Sequence, residues 1–107
     1  MHKRLKLKHG YHDATIRSVT YRDGGDIAME IDLCSCCNPA PGPALLQFLS
    51  VRNLEEVRAR LDAAAEEHTA VGWVDEIVGI YRHETTYLLE LATAGRLEVQ
   101  ATGILEA

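Results

Sequence analysis

Three cysteines fall within four residues, Cys34-Ser35-Cys36-Cys37, and the chain has no others. Thiolates hold soft or borderline metals, and imidazole adds a nitrogen donor. Cys34, Cys36, Cys37 and His12 would supply four ligands of the right type. Zinc or another thiophilic metal is therefore the one cofactor these residues suggest, with thiol redox chemistry beside it. The spacing departs from the Cys-x-x-Cys of a zinc knuckle. Residues two apart on a strand lie about 7 Å apart, but two sulfurs on one zinc lie about 4 Å apart, given Zn–S bonds of about 2.3 Å. Such chemistry requires the chain to turn at Ser35-Cys36, which the following Asn38-Pro39 permits. The competing reading is small, half-buried cysteines at a strand end. An odd cysteine count argues against a disulfide framework.

His12-Asp13 is the second candidate, a binding pair or a general base with its orienting carboxylate. Neighbours on a strand point to opposite faces, so the two can meet only if the chain bends. A phosphohydrolase-type His-Asp metal site is rejected, because it needs further His and Asp residues on several helices. The plainer reading is a strand-start pair bonded to nearby backbone. Trp73, Tyr81 and Tyr87 read as sheet packing rather than a ligand platform, and His83-Glu84 as a solvated turn. No P-loop, dinucleotide fingerprint, nucleophile elbow or His-Glu-x-x-His pattern occurs, so no catalytic residue is assigned.

The elements that must position these residues are legible. Residues 5–8 alternate as a short strand, and residues 13–21 are rich in strand formers. Arg22-Asp23-Gly24-Gly25-Asp26 is a turn. Ile27, Met29, Ile31 and Leu33 alternate with Ala28, Glu30 and Asp32, as in a half-buried strand. A loop at 23–25 sets Tyr21 opposite Ile27 and Val19 opposite Met29. The apolar parity then changes between Ile16 and Val19. A two-residue turn at Gly24-Gly25 gives the pairing of the far end without a bulge, and the loop at 23–25 gives it with a bulge near Arg17-Ser18. Beyond it Ile16 is expected opposite Leu33 and Ala14 opposite Ser35. His12 and Asp13 then arrive beside Cys37 and Cys36. All three prolines stiffen residues 38–43. Residues 44–51 read as a buried strand, and Asn53 with Glu56 as a helix N-cap. Leu54, Val57, Leu61, Ala64 and His68 share one helical face, with Glu56–Arg60 and Arg58–Asp62 as i,i+4 pairs. Strands over 71–81, 86–92 and 97–105 complete a single α+β domain over 1–107. The architecture expected is an antiparallel sheet of about five to seven strands with one amphipathic helix on one face.

At 107 residues the chain can bury one ordinary core. No apolar run reaches the roughly 18 residues of a membrane span, and residues 1–8 lack the apolar stretch of a signal peptide. The expected location is cytoplasmic, with no membrane partner. The net charge of −5 is uneven: residues 1–12 carry Lys3, Arg4, Lys6 and Lys8, or +4, on an end expected to fray, which leaves 7 − 16 = −9 for the rest. An acidic body disfavours nucleic acid and suits a basic protein partner. An exposed sheet edge would allow a homodimer.

His12-Asp13-Ala14-x-Ile16-x-Ser18-Val19 followed by an alternating strand, Phe48-x-x-Val51-x-x-Leu54, and Leu89-x-Leu91 … Gly95-x-Leu97-x-Val99-x-Ala101 together span most of residues 11–101. The pattern resembles the immunity protein 50-like group of small bacterial domains from polymorphic toxin systems. That resemblance implies a small α+β domain that binds and neutralises a basic toxin without catalysing a reaction. It transfers no residue roles. Two functions are thus expected from the sequence: a non-enzymatic protein-binding domain of immunity type, or a metal-binding or thiol-redox protein using Cys34, Cys36 and Cys37 with His12.

Overall fold

The computed structural model describes the backbone of Lys3–Arg4 and all of residues 7–107. Its elements are β1 (Lys3–Arg4), β2 (Ala14–Tyr21), β3 (Ile27–Asp32), β4 (Pro43–Leu49), α1 (Leu54–Glu67), β5 (Asp75–His83), β6 (Thr86–Leu91), β7 (Gly95–Gln100) and β8 (Gly103–Glu106). All strand pairs are antiparallel, and the sheet runs β7-β6-β5-β2-β3-β4-β8, with β1 added beside β5. The expected α+β architecture with one helix is the one found. None of the described helices is long and apolar enough to cross a membrane.

β7 and β8 stand at opposite ends of this order, yet only Ala101-Thr102 joins them. The sheet must therefore curl enough for β7 and β8 to approach at this one seam. There Arg52 N–H donates to Gln100 O, while Thr102 N–H to Leu49 O continues the β4–β8 pairing. The inner face of the curled sheet is the core. Ile16, Ile27, Met29, Ile31, Leu46, Phe48, Tyr87, Leu89, Leu97 and Val99 are all buried there. Helix α1 presses Val57 and Leu61 into the same cluster, each worth about 1.5–3 kcal/mol of apolar burial.

The first hairpin has the expected register at its turn, with Tyr21 opposite Ile27 and Val19 opposite Met29, and the bulge lies between Ile16 and Ser18. Beyond the bulge the expected register is corrected. Ile16 pairs with Ile31, not Leu33, and Thr15 with Asp32. The extra residue, Arg17, belongs to β2, so two β2 residues oppose one on β3 and the pairing slips toward the turn. Arg17 instead reaches Asp32, Nη1 to Oδ2 at 3.0 Å.

Other boundaries move for local reasons. The strand expected over 71–81 starts only at Asp75, because residues 69–72 form turns after the helix and Gly72 takes φ 74°. The strand expected over 97–105 breaks at Ala101-Thr102, where the chain crosses the seam. The strand expected over 5–8 involves residues 5 and 6, which lie outside the described residues, as do residues 1 and 2 of the end expected to fray. Lys8 and His9 are held: their N–H groups donate to the Glu106 carboxylate at 2.7 and 3.2 Å.

Asn53 stands at the N-cap position, but its side chain makes no cap bond to the helix. It accepts from Gln100 N–H and donates to Glu98 O and Glu56 Oε1. Arg60, expected to pair with Glu56, donates to Ala94 O and Arg96 O. With Arg52 N–H on Gln100 O, the outward carbonyls of residues 94, 96, 98 and 100 along β7 are all satisfied. The helix seals an edge that would otherwise be open to pairing with another chain. Arg58–Asp62 forms as expected, at 3.9 Å.

The candidate site, a cysteine turn against the N-terminal segment

β5 carries two partners along one edge. β1 pairs with Tyr81 and Arg82, and β2 with Asp75, Glu76 and Ile77. Between them the chain leaves β5, and β5 itself bulges between Ile77 and Gly79. A cleft of about 220 Å³ opens in this gap, lined by Leu7, His9, Gly10, Tyr11, His12, Cys37, Gly79 and Ile80.

His12 and Asp13 stand at the mouth. Asp13 has φ 61°, so the chain bends where the sequence would continue a strand. The bend brings His12 Nε2 to 3.6 Å from Asp13 Oδ2, while Nδ1 lies 2.8 Å from Val78 O. Both nitrogens of the exposed ring are thus directed at oxygens. Nδ1 is the donor to the carbonyl, which fixes the ring's orientation.

The cysteines form a tight turn. β3 ends at Asp32, and Cys37 N–H donates to Cys34 O at 3.3 Å. The Cα atoms of Cys34 and Cys36 are 5.2 Å apart, within disulfide reach, and the two sulfurs are bonded. The odd cysteine count of a chain expected in the cytoplasm argues against a disulfide framework; one local bridge forms all the same, with Cys37 left over. This bridge spans a single residue, so two of the three cysteines can pair without a framework. Cys37 is free and exposed, and its Sγ lies 3.3 Å from Cys36 Sγ. Cys36 Sγ also lies 3.8 Å from His12 O.

The turn is clamped by residues the sequence reading passed over. Asn38 is buried, accepts from Gly10 N–H, and donates to Gly10 O and Cys34 O. An asparagine that ends a turn before proline has this bonding capacity, and that was the available signal. Tyr11 O–H donates to Glu106 at 2.8 Å, which ties the segment to the last strand. Burial first, and then this bond and the carboxylate charge, hold the Tyr11 phenol well above its ordinary pKa.

The sequence-predicted residues His12, Asp13, Cys36 and Cys37 are therefore brought together, with Cys34 bonded behind them. As it stands, no group of three or more His, Cys, Asp or Glu among the described residues is arranged to hold a metal ion. Two of the expected thiolate ligands are oxidised, and the imidazole is engaged by Val78 and Asp13. What the turn can do in this state is exchange with an external thiol.

No protein-family model matches the chain, and no curated protein matches it. Among solved structures, it is similar to an uncharacterised protein from Neisseria gonorrhoeae, with a TM-score of 0.54 and 10% identity. The similarity covers 99% of this chain and 96% of the other. At that identity it shows a common fold alone.

Proposed function

We propose that this protein acts through thiol–disulfide chemistry at Cys34, Cys36 and Cys37. One observation carries the reading: a third, exposed thiol lies 3.3 Å from a sulfur of an exposed disulfide. A purely structural role fits poorly. A bridge closing so short a loop restrains the unfolded chain by about 1.6 kcal/mol, roughly half the about 3 kcal/mol of a 15-residue loop. Cys36 is exposed and Cys34 half-buried, so Cys36 is the sulfur open to attack. A thiolate of an external dithiol bonds to Cys36 Sγ, and Cys34 leaves as a thiolate and takes a proton. The second thiol of the donor then displaces Cys36, and the donor closes into its own disulfide. Cys37 can donate a hydrogen bond to the Cys36 thiolate as it forms.

Thiol counting tests this. The protein isolated without reductant and alkylated under denaturing conditions should show one free thiol per chain, and three after reduction. Equilibration in dithiol–disulfide buffers should give one reversible two-electron transition. Three thiols that mild oxidant never pairs between Cys34 and Cys36 would overturn the reading.

A second reading is a non-enzymatic domain that binds a basic protein, of the immunity type that the sequence pattern resembles. It is favoured by the exposed surface of α1, where Glu55, Glu56, Asp62, Glu66 and Glu67 outnumber Arg58 and Arg60. Such a surface steers a cationic partner. Salt-sensitive capture of a basic partner, unaffected by reduction, would support this reading over the first.

A further inference from the structure

We infer that reduction converts the cysteine turn into a three-thiolate site for a soft monovalent cation of the Cu(I) class. The inference rests on the thiol-redox reading above. It follows from where the sulfurs already are. Cys34 and Cys36 are bonded, and Cys37 Sγ is 3.3 Å from Cys36 Sγ. Thiolates sharing one metal sit about 4 Å apart when the bonds are about 2.3 Å. The three sulfurs need only spread apart on one turn, not be gathered across the fold.

The turn that holds them is built independently of the disulfide. Asn38 makes three hydrogen bonds to Gly10 and Cys34, and Cys37 N–H donates to Cys34 O. The Gly10 backbone packs directly against Cys37. Breaking the S–S bond leaves all of these in place. The donor set is all sulfur, which suits Cu(I), zinc and iron–sulfur clusters, and three donors without a fourth suit Cu(I) among these. Tetrahedral zinc would want a fourth ligand, and the neighbouring imidazole is turned to Val78 and Asp13.

The chemistry balances. The Cys34–Cys36 bond takes two electrons and two protons from an external dithiol and becomes two thiols. Three thiols then bind one Cu(I) and release three protons, leaving a thiolate centre of charge −2. Metal binding thereby withdraws the reduced form from the redox equilibrium, so each process gates the other.

The full chain, reduced with a phosphine and desalted under nitrogen, is titrated with Cu(I) supplied as its bicinchoninate complex. Thiols are counted on the same sample. We expect three thiols and one tightly bound Cu(I) per chain, read as loss of the bicinchoninate colour. The oxidised protein should take none. Cys37→Ser should weaken capture at least tenfold, and His12→Gln should change it less than threefold. A thiol count that stays at one defeats the redox reading itself. Three thiols with no Cu(I) captured overturns this inference and leaves that reading standing. One zinc held in preference to Cu(I), and lost in His12→Gln, overturns it in favour of a tetrahedral site.

Discussion

A methyl group placed on Gly10 would stand 2.9 Å from Cys37 Cβ and 3.0 Å from Cys37 O. The N-terminal segment and the cysteine turn are in backbone contact there, and only the absence of a side chain allows it. Gly10 does not take a positive φ, so the restriction is space rather than conformation.

Gly10→Ala is therefore expected to cost about 1–3 kcal/mol from forced displacement. A gain of about 0.4–1 kcal/mol from a stiffer unfolded chain offsets part of it. Urea unfolding should show a net loss of about 1–2 kcal/mol. Alkylation of Cys37 in the native protein should change rate, because the turn must move. A neutral substitution would mean that the turn is not seated on Gly10.

Asn38→Ala removes three hydrogen bonds from one buried side chain. Each is worth about 1 kcal/mol net, and Gly10 N–H would lose its acceptor. A loss of about 2–4 kcal/mol is expected from chemical denaturation. Faster hydrogen exchange at Gly10 should accompany it. A loss below about 1 kcal/mol would show that water replaces the side chain freely.

Asp75 is fully buried, and its carboxylate accepts from the N–H groups of Glu76, Thr93 and Ala94. It anchors the β6–β7 turn to the start of β5. Asp75→Ala should cost about 3 kcal/mol or more, since it strands buried donors. Asp75→Asn keeps one acceptor oxygen and should recover part of the loss. Equal losses in the two variants would argue that the acceptor is not what matters.

Two phenols should make the fold sensitive to alkali. Burial, helped by the charge of Asp62 and opposed by that of Arg58, raises Tyr21 from about 10 to about 12. Tyr11 is raised further by burial and Glu106. Above pH 10 the unfolded chain gives up protons that the folded chain keeps. The stability these groups contribute is thus intact below pH 10 and is lost as pH rises from 10 toward 12. Melting temperature measured from pH 8 to 11.5 should fall only in the upper part of that range. Tyr21 Oη is buried without a hydrogen-bond partner among the described residues. Tyr21→Phe should accordingly be neutral or slightly stabilising at pH 7 and should flatten the alkaline decline. A melting temperature that stayed level to pH 11.5 in the unaltered protein would contradict this.

The sequence by itself determined the elements whose signals are local. Alternation marked β3, helical spacing marked α1, and the parity change between Ile16 and Val19 pointed to either a bulge near Arg17-Ser18 or a shorter turn, of which the bulge is found. The hairpin register expected from these signals is off by two residues at the His12 end, where Ile16 pairs with Ile31 rather than Leu33. His12 meets Cys36 instead through the bend at Asp13 and the turn at 34–37. Only the tertiary structure decided which strand held the extra residue. Both choices restore the apolar parity, and the β5 pairing of Ala14 with Ile77 is a contact between residues far apart in the chain. Asn53 and Arg60 show the same limit. Their local signals pointed to a cap and an ion pair, but the free edge of β7 offered carbonyls that nothing nearby in sequence announces. The clamp on the cysteine turn, made by Gly10, Asn38 and Glu106, likewise arises because curling the sheet brings residues 8–11 against β8 and the 34–38 turn. Hydrogen-bonding capacity is written in residue type; which partner claims it is settled by what the fold brings within about 3 Å.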